Sequence, residues 1–322
     1  MKILVKAHNW LGDAVMSLPS LEALREMKPR ARICVLTRAA FADLYRGASA
    51  VDEVLLHERG GLRPWVRTVR EVRRRAFDLA IVLPRSFSSA FLVFSARIPR
   101  RVGYGGEGRS SLLTDPVERL AEKRHRVHLI HHLLTALGDP PPPRAPRLEL
   151  LPEARDWAAK ELPGGPWIAL NPGATYGAAK QWLPDRYVEL GRRLAKRARI
   201  AVVGGPSEAD LGDAVARDVG GLSLAGRTSV SQLAAALARC ALVVTNDTGP
   251  MHVADAVGAP VVAVFGPTDW IETPPYGKKH RVVRHPLPCA PCLKRTCPLG
   301  HHDCMKRLDT EPVYRACLEL LG

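Results

Sequence analysis

The sequence predicts an α/β protein made of two doubly wound parallel-sheet domains in tandem. Three observations carry that expectation. Apolar runs such as Ile3-Leu4-Val5 and Ile33-Cys34-Val35-Leu36 are near-continuous, as strands covered on both faces by crossover helices require. Strand-like and helix-like runs alternate through both halves, the pattern of βα units. Between the halves, GDPPPPRAPRLELLP (138–152) holds six prolines, a stiff extended spacer that stops helices.

Taken in order, Ile3–Val5 is the first strand. A helix carrying Val15, Met16, Leu18, Leu21 and Leu24 follows, with Pro19 set to kink it or delay its regular start. Residues 33–36 form the next strand. An arginine-rich helix near 64–75 precedes a third, FDLAIVLP. In the second half, WIALNPG runs from strand into glycine turn, with a helix from about Asp185. IAVVGGP repeats the arrangement, with a helix from about Ser207. LVVTNDTGPMHVADAVGAPVVAVFG supplies strand, turn, helix and strand. Ligands in such folds bind beyond the carboxyl ends of the strands, so the motifs just after a strand matter most.

Composition narrows the partners. The 322 residues suit two ordinary domains. The 47 Lys and Arg against 32 Asp and Glu give a formal charge of +15, which favours nucleic acid, anionic lipid or a phosphorylated substrate over neutral partners. A solvated basic surface is the plainer alternative. There is no run of 18 apolar residues, and Met1 leads straight into a strand without a signal-peptide pattern. A cytoplasmic protein is expected, in which disulfides are not the default for the seven cysteines.

Three motifs in the second half point to a nucleotide diphosphate. In NDTGPMH (246–252), Asp247 or Thr248 can cap the next helix and Pro250 suits its first turn. The N–H groups at Thr248 and Gly249 can then bind phosphate with the helix dipole, and His252 can add a donor. In NPGATYGAAKQW (171–182), Thr175 and Lys180 are phosphate donors, although no Walker loop is present. In GGPSEADL (204–211), Glu208 can accept both hydroxyls of a ribose. The plainer readings are a capped helix, a surface lysine and a helix-start acid. No G-x-G-x-x-G fingerprint is present, which disfavours hydride transfer.

In the first half, NWLGDAV (9–15) puts Asp13 where a phosphate cradle would have no anion. It is either a helix cap or a carboxylate that deprotonates an attacking hydroxyl, with Gly12 clearing room for the substrate. A helix start favours the ionised carboxylate and so weakens it as a base, which puts proton transfer late in the reaction. Cys289, Cys292, Cys297 and Cys304 form C-x2-C-x4-C-x6-C with His301 and His302 inside. A structural metal, disulfides and free thiols are all open readings for these four.

Over nearly its whole length the chain resembles glycosyltransferase family 9, the bacterial lipopolysaccharide heptosyltransferases, and within it the type II members. MKILVKAHNWLGDAVMSLP, LPRSFSSA (83–90), GYGGEGR (103–109), NPGATYGAAKQWLP and NDTGPMHVADAVGAPVVAVFGPTD carry the likeness, the last most specifically. The resemblance implies a GT-B fold, two Rossmann-like domains facing a central cleft. It assigns 1–150 to the acceptor and 151–308 to ADP-heptose, with 309–322 a C-terminal helix packing back on the first domain. It implies inverting, metal-independent transfer of L-glycero-D-manno-heptose from ADP-heptose to the lipopolysaccharide inner core, as the second heptose onto heptosyl-Kdo2-lipid A. No cofactor is required. Asp13 falls on the catalytic base; Lys180, Thr175, Thr248 and Gly249 on the diphosphate contacts; Glu208 on the ribose contact; Asp247 and His252 in the same donor loop. Gly12, Arg85, Ser86 and Arg109 are the acceptor-side candidates. The acceptor, lipid A–Kdo at the inner leaflet, implies a peripheral protein on the cytoplasmic face of the inner membrane. Helix 64–75 either lies on that membrane or packs on the core with a solvated basic face. The alternatives are type I heptosyl transfer, transfer of another nucleotide sugar, and nucleic-acid binding. The last calls for stacking aromatics among the arginines, and their helix has Trp65 alone.

Overall fold

The computed structural model describes every residue except Arg59 and Glu107, the latter inside the GYGGEGR segment. It divides into two compact units, Met1–Pro146 and Arg147–Gly322.

The first unit is a six-stranded sheet: β1 (Lys2–Lys6), β2 (Arg32–Thr37), β3 (Glu53–Leu56), β4 (Leu79–Val82), β5 (Arg100–Tyr104) and β6 (Asp115–Val117). The order is β3-β2-β1-β4-β5-β6 and every pairing is parallel. Around it lie α1 (Leu11–Met16), α2 (Leu18–Met27), α3 (Ala42–Arg46), α4 (Leu62–Arg74), α5 (Phe87–Ser95) and α6 (Arg126–His131). Pro19 acts as the sequence suggests: α1 ends at Met16, and α2 restarts with Pro19 in its first turn, where a missing N–H costs no hydrogen bond. Leu4, Leu36, Ala80 and Val82 from the strands meet Val72 of α4 and Ala90, Leu92 and Val93 of α5 in one core.

The second unit repeats the plan with β7 (Trp167–Asn171), β8 (Arg199–Val202), β9 (Leu222–Ser223), β10 (Cys240–Asn246), β11 (Val261–Phe265) and β12 (His280–Arg284). Their order is β12-β11-β10-β7-β8-β9, again all parallel. Its helices are α7 (Pro152–Glu161), α8 (Pro184–Leu194), α9 (Ala209–Val219), α10 (Val230–Ala238), α11 (Gly249–Ala256), α12 (Asp303–Lys306) and α13 (Thr310–Leu321). The tail of the proline-rich spacer goes with this unit: the Leu148 amide donates to the Ala256 carbonyl at 3.0 Å, and Leu150 and Leu151 pack on Ala154, Ala158 and Ala235.

The helix expected to return to the first domain, α13, packs on its own sheet. Val313, Ala316 and Cys317 sit in the second core beside Leu190, Val244 and Val262. Arg193 reaches Glu311 at 2.8 Å and lies over the Tyr314 ring, while Thr310 donates to Glu189 at 2.7 Å. An apolar stripe backed by those polar contacts holds the helix against α8.

In both sheets the strand order reverses at one point, between β1 and β4 in the first and between β7 and β10 in the second. There the helices leave on opposite faces and a crevice opens at the carboxyl ends of the strands. The segments that follow β1 and β4 carry Gly12, Asp13, Arg85 and Ser86; those that follow β7 and β10 carry Thr175, Lys180 and the NDTG turn.

Candidate functional site

In the first unit Asp13 is not a cap. Trp10 occupies that position without a side-chain hydrogen bond, and Asp13 is the third residue of α1. Its side chain stays about a fifth exposed, with Oδ1 3.9 Å from an Arg126 nitrogen. Beside it, His8 closes β1's loop. Burial holds the His8 imidazole down at about 4; Asp13 pulls the other way, and Arg126, Lys6 and Arg85 reinforce the depression. His8 is therefore neutral at neutral pH, and its Nε2 is buried without a hydrogen-bond partner among the described residues. Neither His8 nor Arg126 was singled out in the sequence. His8's position between β1 and Gly12 was a usable signal; Arg126, over a hundred residues on, offered none.

A pH test follows. Unfolded, the imidazole takes a proton near 6.5; folded, only near 4. The stability tied to His8 is thus complete above 6.5 and lost as pH falls through that window. The melting temperature of the wild type should drop between pH 6.5 and 4 more steeply than that of His8→Gln; parallel curves would contradict the assignment.

The remaining acceptor-side candidates separate. Arg85 and Ser86 are exposed at the start of α5, with Ser86 Oγ 2.8 Å from Ser89 Oγ. Arg109 is 1% exposed and donates to the Pro84 carbonyl at 2.6 Å. A Cβ on Gly103 would sit 3.0 Å from its guanidinium. Arg109 therefore braces the β4 loop from beneath and presents nothing at its surface.

In the second unit the three donor motifs converge. Lys180 Nζ donates to Asp247 Oδ2 at 2.8 Å and to its carbonyl at 3.1 Å. It also lies 4.9 Å from the Tyr176 ring centre. Trp182, fully buried, pins this segment: its indole donates to the Leu308 carbonyl at 2.8 Å and its amide to Asn246 Oδ1 at 3.1 Å. Asn246 in turn donates to the Pro172 and Gly173 carbonyls, both at 3.0 Å. A Cβ on Gly173 would meet the Glu208 carboxylate at 2.3 Å, so only glycine lets that side chain lie across the loop. Glu208 Oε2 accepts from the Gly205 amide at 2.7 Å, and Oε1 from Thr175 at 3.2 Å.

Thr248 stands at the N-cap of α11 but does not cap it. Its hydroxyl accepts from Asn171 Nδ2 at 2.8 Å instead. The helix start thus keeps N–H groups that its own side chains do not satisfy, which suits an incoming anion. His252 lies one turn in and is buried, as is Asp247. Asn171 and Asn246, which open two of the quoted motifs but were given no role from the sequence, hold the two strand ends together. Their signal was present: each ends a strand immediately before a glycine-containing turn. Thr268, after β11, is buried with no hydroxyl partner among the described residues.

The cysteine segment gives a correction to the expected structural metal. Cys289, Cys292, Cys297 and Cys304 line one small cavity with His301 and His302, yet all are free thiols. Among the described residues no group of three or more His, Cys, Asp or Glu could hold a metal ion. Cys297 Sγ accepts from the His302 amide at 3.4 Å, and His302 Nε2 contacts the Ala179 carbonyl at 2.9 Å. The segment instead buttresses the donor loop. The Ala179 amide donates to the Arg295 carbonyl at 3.1 Å, and Arg295 lies over the Tyr176 ring. The His302 amide and its neighbours pull the Cys297 thiol below its ordinary range, whereas burial pushes Cys304 up to about 11. The thiolate is the nucleophile, so iodoacetamide near pH 8 should label Cys297 before Cys304 in peptide mapping. The reverse order would contradict this.

The model of glycosyltransferase family 9 (heptosyltransferase) matches residues 65–302. The chain is 32% identical over 311 residues to Lipopolysaccharide heptosyltransferase 2 of Escherichia coli strain K12, with 88% of each covered. Lipopolysaccharide heptosyltransferase 1 of Pseudomonas aeruginosa is 25% identical over 323 residues, covering 92% of this chain and 87% of its own. The solved structure of E. coli ADP-heptose LPS heptosyltransferase II matches with a TM-score of 0.84 at 30% identity, covering 100% of this chain and 98% of that one.

Proposed function

The chain belongs to glycosyltransferase family 9 and has the GT-B fold, and from that premise we propose that it moves L-glycero-D-manno-heptose from ADP-heptose to the lipopolysaccharide inner core, as the second heptose, onto heptosyl-Kdo2-lipid A. The observation that carries the donor half is the crevice between β7 and β10. An amino group on the 171–180 segment, an uncapped helix start and a carboxylate meet there, the last two each hydrogen-bonded to that segment. Lys180 and the N–H groups of Thr248 and Gly249 meet the diphosphate, with Thr175 beside them. Glu208 leaves its present partners to accept the ribose hydroxyls. Asp247, itself an anion, serves chiefly by holding Lys180 in register.

In the first unit Asp13 takes the proton of the acceptor hydroxyl as that oxygen bonds to the anomeric carbon and ADP departs with the bonding pair. Arg126 faces the carboxylate, and Arg85 and Ser86 stand on the acceptor side. The greater identity to a type 2 enzyme than to a type 1 enzyme favours the second heptose. Mass spectrometry of products from ADP-heptose on Kdo2-lipid A and on heptosyl-Kdo2-lipid A decides it. Extension of the heptosylated acceptor alone is expected, and extension of Kdo2-lipid A alone would make it a type 1 enzyme.

Glu208→Ala should weaken binding of adenosine diphosphate by about tenfold or more, the scale of a hydrogen bond to a charged group. Calorimetry reads this directly, and wild-type affinity in the variant would leave Glu208 as no more than the brace of the Gly205 turn.

A further inference from the structure

The first unit carries an exposed aromatic ridge made of residues outside the candidate site set. On α5, Phe87, Phe91 and Phe94 recur at helical spacing and remain 51%, 38% and 43% exposed. The opposite side of the same helix, Ala90, Leu92 and Val93, fills the core. Trp65 of α4 stacks on Phe91 at 5.4 Å, and Phe87 stacks on it at 5.8 Å. Soluble surfaces seldom gather large rings this way without a partner. α5 itself has no charged residue, but α4 beside it has five arginines and one acid, Glu71. Glu71 pairs with Arg74 and Arg75, and Glu58 with Arg67. Arg63, Arg70 and Arg73 are exposed and have no acidic partner among the described residues.

We propose that this α4–α5 face is a docking surface for an anionic lipid bilayer, the phenylalanines entering the interfacial layer and the arginines meeting the headgroups. Rings with an arginine rim suit such an interface, where apolar burial and attraction to anionic lipid add. A second copy of the chain is disfavoured by the like charge of the rim. Nucleic acid needs free ring faces for base stacking, and here Phe91 is stacked by two rings while Arg101 covers Phe94. The inference deepens the lipid-acceptor reading and rests on it for its place in the reaction. Vesicle binding is measured without transfer, so a failed heptosyl assay bears on the function and not on this surface.

The test is sedimentation of the full chain with vesicles of phosphatidylglycerol and phosphatidylethanolamine, against vesicles of phosphatidylcholine. Wild type should bind the anionic vesicles, and less so as salt rises. Phe87→Ser/Phe94→Ser should cut the partition by about tenfold. Arg70→Glu/Arg73→Glu, confined to exposed side chains, should do so by more than about tenfold. Wild type that ignores anionic vesicles, or two folded variants that bind as it does, overturns the proposal. So does an oligonucleotide that binds wild type, fails with both variants, and has no vesicle counterpart.

Discussion

Replacing Asp13 by asparagine is expected to lower turnover by about 10²–10⁴-fold, the range for a lost general base, with affinity for the donor nearly unchanged. The substitution keeps the size and shape of the side chain on the first turn of α1 and removes only the basic oxygen. The structure tightens the test, because Asp13 is a carboxylate that faces Arg126 at this turn. His8 beside it is neutral at neutral pH, but its Nε2 is buried and so is closed to an acceptor hydroxyl. The neutral amide also leaves Arg126 without the charge it faces at 3.9 Å. A modest drop in melting temperature is therefore compatible with the assignment. Single-turnover rates with donor bound separate the two effects. A folded Asp13→Asn protein with more than half the normal rate would sink the role of base.

Lys180→Ala should weaken binding of ADP-heptose by about 10–200-fold, the equivalent of a charged hydrogen bond worth ~1.5–3 kcal/mol. The loss has two sources. The phosphate contact disappears, and Asp247, 4% exposed and paired with Lys180 at 2.8 Å, is left as an uncompensated anion beside the diphosphate. Breaking such a pair from one side costs more than removing both charges. The double variant Lys180→Ala/Asp247→Asn should then recover part of the affinity that the single variant loses. If calorimetry finds the single and double variants equal to wild type for adenosine diphosphate, the donor site lies elsewhere.

Much of this was legible from the chain. Apolar runs without alternation, interrupted by helical stretches, specify a parallel sheet because both faces must be covered. Glycine turns directly after those runs mark the strand ends where ligands bind. Residues near a strand end, such as Asp13, Thr175 and Thr248, inherit their position from backbone geometry alone, and so could be singled out without coordinates. Short or polar strands such as β6 and β9 offered no such pattern.

Side-chain partnerships across long sequence separations were decided only by the folded chain. Arg126 meets Asp13, Trp182 anchors on Leu308, and Glu208 crosses Gly173, because the sheets bring loops together that no local period connects. The same holds for α13: its apolar stripe announced burial, but which core received it depended on the strands it met. The cysteine spacing allowed metal, disulfides or thiols, and the distances between the side chains that separate these readings are set by the fold of the loop. Local chemistry writes elements and turns, since those depend on neighbours within a few residues. Partners that meet across the sheet depend on the whole core, and only tertiary structure could choose them.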